Sequence, residues 1–244
     1  MPSLSDTISV FRIHLARLRA EAGPFLLAAL VFPTAMYLFA NAISGKGAGD
    51  PNRFRFLAGS IVFSLSLTAI SWLGYLLLEN RFTGRLKLFA TLPLAPSSYV
   101  FGILVFGVAQ SILGCGALLI VARLLGARTQ LGVLPLTLTI LLTMLCLSGI
   151  SVVIATRARS FSEGSLLTDS FGAGLVFLAP VYYSPEAMPH ALRLVSEWLP
   201  TARAAHAVQA ALGGSYATGD LAILGAMAIV SLSLGFKLMR FREN

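Results

Sequence analysis

His14, His190 and His206, with Cys115 and Cys146, carry the most reactive side chains in this sequence. Their spacing does not assemble them into a site. The histidines stand far apart and outside the long apolar runs, and each cysteine sits alone inside one. With no CxxC and no His/Cys cluster, neither a disulfide framework nor a zinc site is supported, and buried, reduced packing thiols are expected. HExxH, GxSxG and paired-carboxylate patterns do not occur. The phosphate-cradling GxxxxGK[ST] loop is missing too: Ser44-Gly45-Lys46-Gly47 lacks both the upstream glycine and the hydroxyl residue that must follow the lysine. No catalytic residue, metal ligand or bound cofactor is therefore expected in this chain.

The polar side chains worth singling out lie within the apolar runs themselves. Ser60, Ser64, Thr68 and Ser71 fall at i, i+4, i+8 and i+11, which lines small hydroxyls along one helix face. Such a stripe lets neighbouring helices approach closely; it can also wall a polar path or form the seam between two copies. Gln110 with Ser111, and Asn41, are weaker examples. Asp169 is the one acid inside a run, which makes it a functional candidate. It also stands beside Thr168 and Ser170 near the expected start of its run, where a helix N-terminus favours negative charge.

The elements that hold these residues follow from composition. Of 244 residues, 57% are hydrophobic and only 11% charged, with a mean hydropathy of +0.83. A soluble domain needs about 25% charged residues to coat itself. A soluble enzyme, a nucleic-acid-binding domain and a disordered chain are therefore all excluded, and the solvent is lipid. Crossing a bilayer takes about 20 mostly apolar residues. Six runs qualify: Phe25–Ile43, Phe56–Leu78, Tyr99–Val121, Val133–Ala155, Ser165–Tyr183 and Leu221–Met239. Breakers and charges mark their ends: Gly45–Asp50 with Pro51, Glu79–Arg81, Arg123–Arg128, Arg157–Arg159, Pro185 and Gly219–Asp220. Pro33 is expected to kink the first span, because it removes a backbone donor.

The net charge of +8 belongs to the loops and sets orientation. With both ends inside, eleven basic residues face the cytoplasm and seven face out, although three of those seven lie in the first outer loop. An Ala40-Asn41-Ala42 cleavage site is disfavoured, since its leader would exceed 40 residues. Residues 4–20 place Ile8, Phe11, Leu15 and Leu18 at helical spacing beside Arg12, Arg17 and Arg19. That pattern predicts a basic amphipathic helix on the cytoplasmic headgroups.

Two loops stand out. From Glu79 to Pro93, Phe82, Leu86 and Phe89 recur at i, i+4 and i+7, defining one apolar face of a short helix that carries Arg81, Arg85 and Lys87 around it. The pattern alone fits a helix resting on headgroups and one docked in a partner's groove equally well. Between spans five and six, Tyr182-Tyr183-Ser184-Pro185 leads through Pro189 to two helical stretches. Leu192, Val195 and Leu199 share a face in one; Ala205, Val208 and Leu212 share a face in the other. Both are too short and too charged to cross, so they are expected to lie on the outer leaflet or dip into it.

These stretches carry a resemblance. The segment Glu79–Pro93 after span two, and Ser184-Pro185…Met188-Pro189…Trp198-Leu199-Pro200-Thr201 before span six, resemble the membrane subunit of type-2 ABC exporters. The layout of six spans, cytoplasmic ends and an amphipathic amino-terminal helix extends the likeness over nearly the whole chain. It implies one all-α transmembrane domain over residues 1–244, with a cytoplasmic amphipathic helix at 1–22, a coupling-helix loop at 79–97 and an outer re-entrant loop at 184–220.

Carried over residue by residue, the coupling set is Glu79, Arg81, Phe82, Gly84, Arg85, Leu86, Lys87, Phe89, Leu92 and Pro93. The re-entrant loop takes Pro185, Pro189, Trp198 and Pro200, while Ser60, Ser64, Thr68, Ser71 and Gln110 stay candidates for the path or dimer seam on their spacing alone. The resemblance further implies a bacterial inner-membrane permease that dimerises and binds a separate ATP-binding-cassette ATPase, which holds ATP and magnesium. Its substrate would be amphipathic or apolar, such as a drug, lipid or glycan, because no charged lumen is visible. The alternative from another class is an ATP-independent six-span channel or membrane scaffold. A secondary transporter is disfavoured, because no two similar halves are seen.

Overall fold

The computed structural model describes residues 4–20, 23, 30–43, 50–85, 96–127, 129–183, 186 and 188–238. No strand occurs among them. In chain order the helices are α1 (Leu4–Ala20), α2 (Phe32–Ile43) and α3 (Asp50–Ser66), which continues through a π-helical stretch, Leu67–Trp72, into α4 (Leu73–Phe82). Then come α5 (Pro96–Leu124), α6 (Val133–Arg157), α7 (Phe161–Phe177), α8 (His190–Ser196), α9 (Pro200–Leu212) and α10 (Thr218–Leu238).

Backbone hydrogen bonding dictates this choice: in lipid, a segment must satisfy its own N–H and C=O groups, and a helix does so internally. Among the described residues, four helices are long and apolar enough to cross: Arg53–Phe82, Phe101–Leu124, Val133–Arg157 and Thr218–Gly235. Of the other two expected spans, the described part of the first is residues 30–43, which include the 12-residue α2. The fifth is α7, whose 17 residues rise about 25 Å, at the lower end of what a bilayer core requires.

Several helix ends differ from those expected. The second span runs to Phe82 and starts at Asp50, so Pro51 does not break it. A proline is tolerated in a first turn, where its missing donor would be unpaired anyway. Gly219 and Asp220 likewise lie inside α10, with Asp220 in its first turn. Pro33 stands in the first turn of α2, directly after two π-helical residues, 30 and 31.

The helix at the place of the expected fifth span starts at Phe161, four residues before Ser165. Ser160 caps it by accepting from the Glu163 N–H at 3.1 Å, while Glu163 Oε2 accepts from the Arg159 N–H at 2.9 Å. Glu163 thus holds the N-terminal position, a near-relative of the capping box. Asp169 lies two turns further in, so the helix N-terminus does not account for it.

Packing centres on α6, which meets α10, α9, α4 and α5. Small residues set the distances, as they do wherever lipid removes the hydrophobic drive for helix association. A Cβ on Gly149 would collide with Ser231 Oγ and stand 2.7 Å from the Ser231 carbonyl carbon of α10. One on Gly74 would stand 2.5 Å from Thr168 Cγ2 of α7 and 3.0 Å from Ser151 Oγ of α6. Gly164, Thr168 and Gly172 at i, i+4 and i+8 form the α7 face against Leu78, Gly74 and Ser71.

The amino-terminal helix buries a face that overlaps the expected one in part, since Phe11 and Leu15 are half-buried. Val10 is 1% exposed and His14 5%, whereas Ile8 is 44% exposed. Gly102 of α5 decides this, because its missing side chain opens a notch for Val10. Phe106 of α5 then collects Phe11 at 5.8 Å, His14 at 5.9 Å and Trp72 of the π-helical stretch at 5.5 Å between ring centroids. In this way α1 is joined to the bundle; Leu18's side chain lies outside the described residues.

Candidate coupling and lining sites

At one end of the bundle, four consecutive residues closing α4 each make a different contact. Glu79 Oε1 accepts from Arg85 Nη1 at 3.0 Å. Buried Asn80 donates to Tyr99 Oη of α5 at 2.6 Å. Arg81 Nη1 donates to the carbonyls of Ala155, Thr156 and Ala158 at 2.8, 3.0 and 2.9 Å. Phe82 remains 41% exposed, with the Arg81 guanidinium 5.2 Å from its ring centroid.

The Arg81 contacts follow from the anatomy of a helix end. The last carbonyls of α6 have no partners within that helix, and the aligned peptide dipoles make its C-terminus electronegative. A guanidinium answers both deficits, and a cation so placed contributes about 1 kcal/mol, more when partly buried. The end of α4 is thereby fastened to the end of α6. The Glu79–Arg85 pair is more exposed, at 29% and 51% of their side chains, and contributes little to stability.

The chain turns directly after Phe82. Thr83 donates its hydroxyl to the Glu79 carbonyl at 2.6 Å, and Gly84 takes a left-handed φ of 75° that a Cβ would strain. This corrects the single apolar face expected from Phe82, Leu86 and Phe89. Phe82 is the last residue of the spanning helix, and the glycine breaks the periodicity behind it. Leu86, Lys87, Phe89, Leu92 and Pro93 lie outside the described residues.

The hydroxyl stripe is buried inside the single chain. Ser60, Ser64 and Thr68 are 0%, 2% and 3% exposed, while Ser71 is half-buried. Ser60 Oγ accepts from Tyr182 Oη at 3.4 Å, beside Gly59, whose Cβ would stand 2.9 Å from the Tyr182 ring. Ser71 Oγ lies 3.3 Å from the Cβ position of Gly172. Close packing against α7 and the turn after it therefore accounts for both ends of the stripe. Gln110 is buried apart from them on α5, at 4% exposure.

Hydroxyls that were not singled out tend the π-helical stretch. Ser151 Oγ donates to the Ile70 carbonyl at 3.3 Å, and Ser66 Oγ to the Gly172 carbonyl at 3.1 Å.

At the opposite end, α9 inserts among α3, α6 and α10. Its expected face is buried: Ala205, Val208 and Leu212 are all 0% exposed. Pro200 opens it from the first position and is itself buried, and the Thr201 hydroxyl donates to the Leu175 carbonyl of α7. Arg203 Nη1 pairs with Asp220 of α10 at 3.0 Å. Pro189 stands immediately before α8; Pro185 lies outside the described residues.

The face expected on α8 is open at Leu192 and Val195, while Leu199 beyond its end is half-buried against the core. Leu192 is 45% exposed and Val195 58%, and Trp198 just beyond is 74% exposed. Seven residues make two turns, and Ser196 is the one buried residue among them.

The two sites stand at opposite ends of a helical bundle built for lipid. A profile of the ABC-2 type transporters matches residues 10–212. The chain belongs to the ABC-2 type transporter family. A search of curated proteins returned no match. The matched stretch of this ABC-2 type transporter chain begins within α1 and ends with α9, so it contains both the Arg81 cluster and the buried α9. Membership makes the chain a multi-pass membrane component of an ABC transporter, and implies an ATP-binding-cassette ATPase as partner.

Tyr75 and Asp169 complete the inventory. Tyr75 Oη donates to Asp169 Oδ2 at 2.5 Å, joining α4 to α7, with the Phe161 ring 6.2 Å from that of Tyr75. Nothing in the spacing of the sequence links the tyrosine to the acid. The Gly164, Thr168 and Gly172 stripe, by contrast, was as visible as the serine stripe it resembles.

Proposed function

We propose that this chain is the permease subunit of an ABC exporter, moving an amphipathic or apolar substrate outward under the drive of a separate ATPase. The observation that carries this reading is the fastening of Arg81 to the last carbonyls of α6 beside an exposed Phe82. A partner pressing on the turn after Phe82 loads α4 and α6 together, because one side chain joins their ends.

In this reading α2 and α7 are the remaining two of six spans, both chain termini are cytoplasmic, and the Arg81 end faces the ATPase. The coupling segment continues through residues 86–93. A second copy closes the path, and ATP-driven approach of the two ATPases tilts the spans to open it outward. The π-helical stretch, Leu67–Trp72, is where the longest span yields, since π-helical turns mark irregular, functional places in helices. α8 and α9 act as the re-entrant elements of the outer side, with Pro189, Trp198 and Pro200 at their ends.

Photo-cross-linking tests the docking. A benzophenone side chain at Phe82 is expected to capture the ATPase co-expressed with this chain, whereas one at Trp198 is not. Equal capture from both positions, or none from Phe82 in a stable complex, contradicts the reading.

A further inference from the structure

Asp169 is exposed on the outside of the single chain, eight residues past the Phe161 start of α7 and so about 12 Å along the helix. On the same face Leu166, three residues back, is 69% exposed and Ser165, four back, is half-buried. A carboxylate at that depth is strongly disfavoured against lipid and faces the bundle interior or a wet cavity. Its surface therefore belongs to a protein-lined, hydrated space.

Among the described residues Asp169 has no cation paired with it. The ion pairs among the described residues are Glu79–Arg85, Arg193–Glu197 and Arg203–Asp220. Five of a second copy's six apolar runs supply none either, because residues 25–43, 56–78, 99–121, 133–155 and 165–183 contain no Lys, Arg or His; the sixth carries only Lys237, in the last turn of α10. The hydroxyl of Tyr75 occupies Oδ2, and no partner meets Oδ1 among the described residues. The Tyr75 ring lies beside this carboxylate, and the Phe161 ring stands 6.2 Å from that of Tyr75. A fixed carboxylate beside an aromatic pair selects a weakly hydrated organic cation, which gains from both the charge and the ring quadrupoles.

We propose that Asp169, beside the Tyr75–Phe161 ring pair, recognises the cationic group of an amphipathic substrate. This rests on the exporter reading and narrows its substrate class from amphipathic or apolar to amphipathic and cationic. Tyr75 is a positioning residue: its hydrogen bond holds the carboxylate against α4 and leaves Oδ1 turned to the substrate.

The test uses the full chain in lipid nanodiscs, with tetraphenylphosphonium and tetraphenylborate as size-matched probes of opposite charge and empty nanodiscs as the blank. Saturable binding of tetraphenylphosphonium over tetraphenylborate is expected. Asp169→Asn should weaken it about tenfold or more, the scale of one charge-assisted contact, while Asp169→Glu restores most of it. Tyr75→Phe keeps the charge and should cost only a few-fold. No saturable binding, no preference for the cation, or equal affinity in wild type and the Asn variant each overturns the proposal. The wild-type charge preference decides the matter even if the Asn variant does not fold.

Failure of the exporter reading looks different. There the cation still binds with the stated selectivity, but its binding does not alter ATP hydrolysis by the co-purified ATPase.

Discussion

Arg81 Nη1 donates to the Ala155 carbonyl at 2.8 Å, across a sequence separation of 74 residues. The contact unites the far ends of two spanning helices at the place where the chain turns toward its expected coupling segment. The Thr156 and Ala158 carbonyls share the same nitrogen. A single guanidinium thus completes the terminus of α6 and fixes the terminus of α4.

Replacing Arg81 with alanine is expected to destabilise the chain by about 1–2 kcal/mol, since it removes a cation from a helix C-terminus and leaves carbonyls unpaired. Lysine should recover only part of this loss, because its ammonium is a point charge without the planar fork. Thermal unfolding of the three proteins in detergent measures the order: wild type, then Lys, then Ala.

The α6–α10 contact predicts a contrast between two glycines. Gly149→Ala forces a methyl into the Ser231 backbone and should cost about 1–3 kcal/mol, the range for overpacking. Gly225→Ala, with nothing within 4 Å of its Cβ, should be neutral or stabilise by up to about 1 kcal/mol through helix propensity. Unfolding midpoints of the two variants should move in opposite directions, or the second not at all.

Much of this bundle was legible in the sequence because span length and apolarity are local properties. Val133–Arg157 is a charge-free run closed by an arginine, and the helix follows it closely. The buried face of α9 was legible for the same reason, as Ala205, Val208 and Leu212 repeat with the helical period. What stayed hidden was pairwise. The face that α1 buries is set by the absent side chain of Gly102, about ninety residues away. Arg81 read as a surface cation, and only the arrival of α6's carbonyls beside it shows its contact. For α8, a two-turn helix has too few residues for periodicity to separate inside from outside.

The Arg203–Asp220 pair predicts a charge-swap effect. Both side chains are largely shielded, at 25% and 18% exposure, so Asp220→Asn should cost more than an exposed pair does, about 1 kcal/mol or more. Arg203 also donates Nε to the Glu197 carbonyl at 2.8 Å. Exchanging the two residues should therefore restore only the part of the stability owed to the ion pair. A double-mutant cycle on unfolding midpoints measures that part.

The central claim is that motion in a partner ATPase reaches the spans through the turn after Phe82. Its most direct measurement is ATP hydrolysis by the reconstituted complex in liposomes, comparing wild type with a chain carrying Phe82→Ala, Arg85→Ala and Leu86→Ala together. The account predicts that the triple variant folds and inserts normally, yet no longer co-purifies with the ATPase or responds to substrate by faster hydrolysis. Unchanged co-purification and unchanged substrate-stimulated hydrolysis in that correctly folded variant would contradict it.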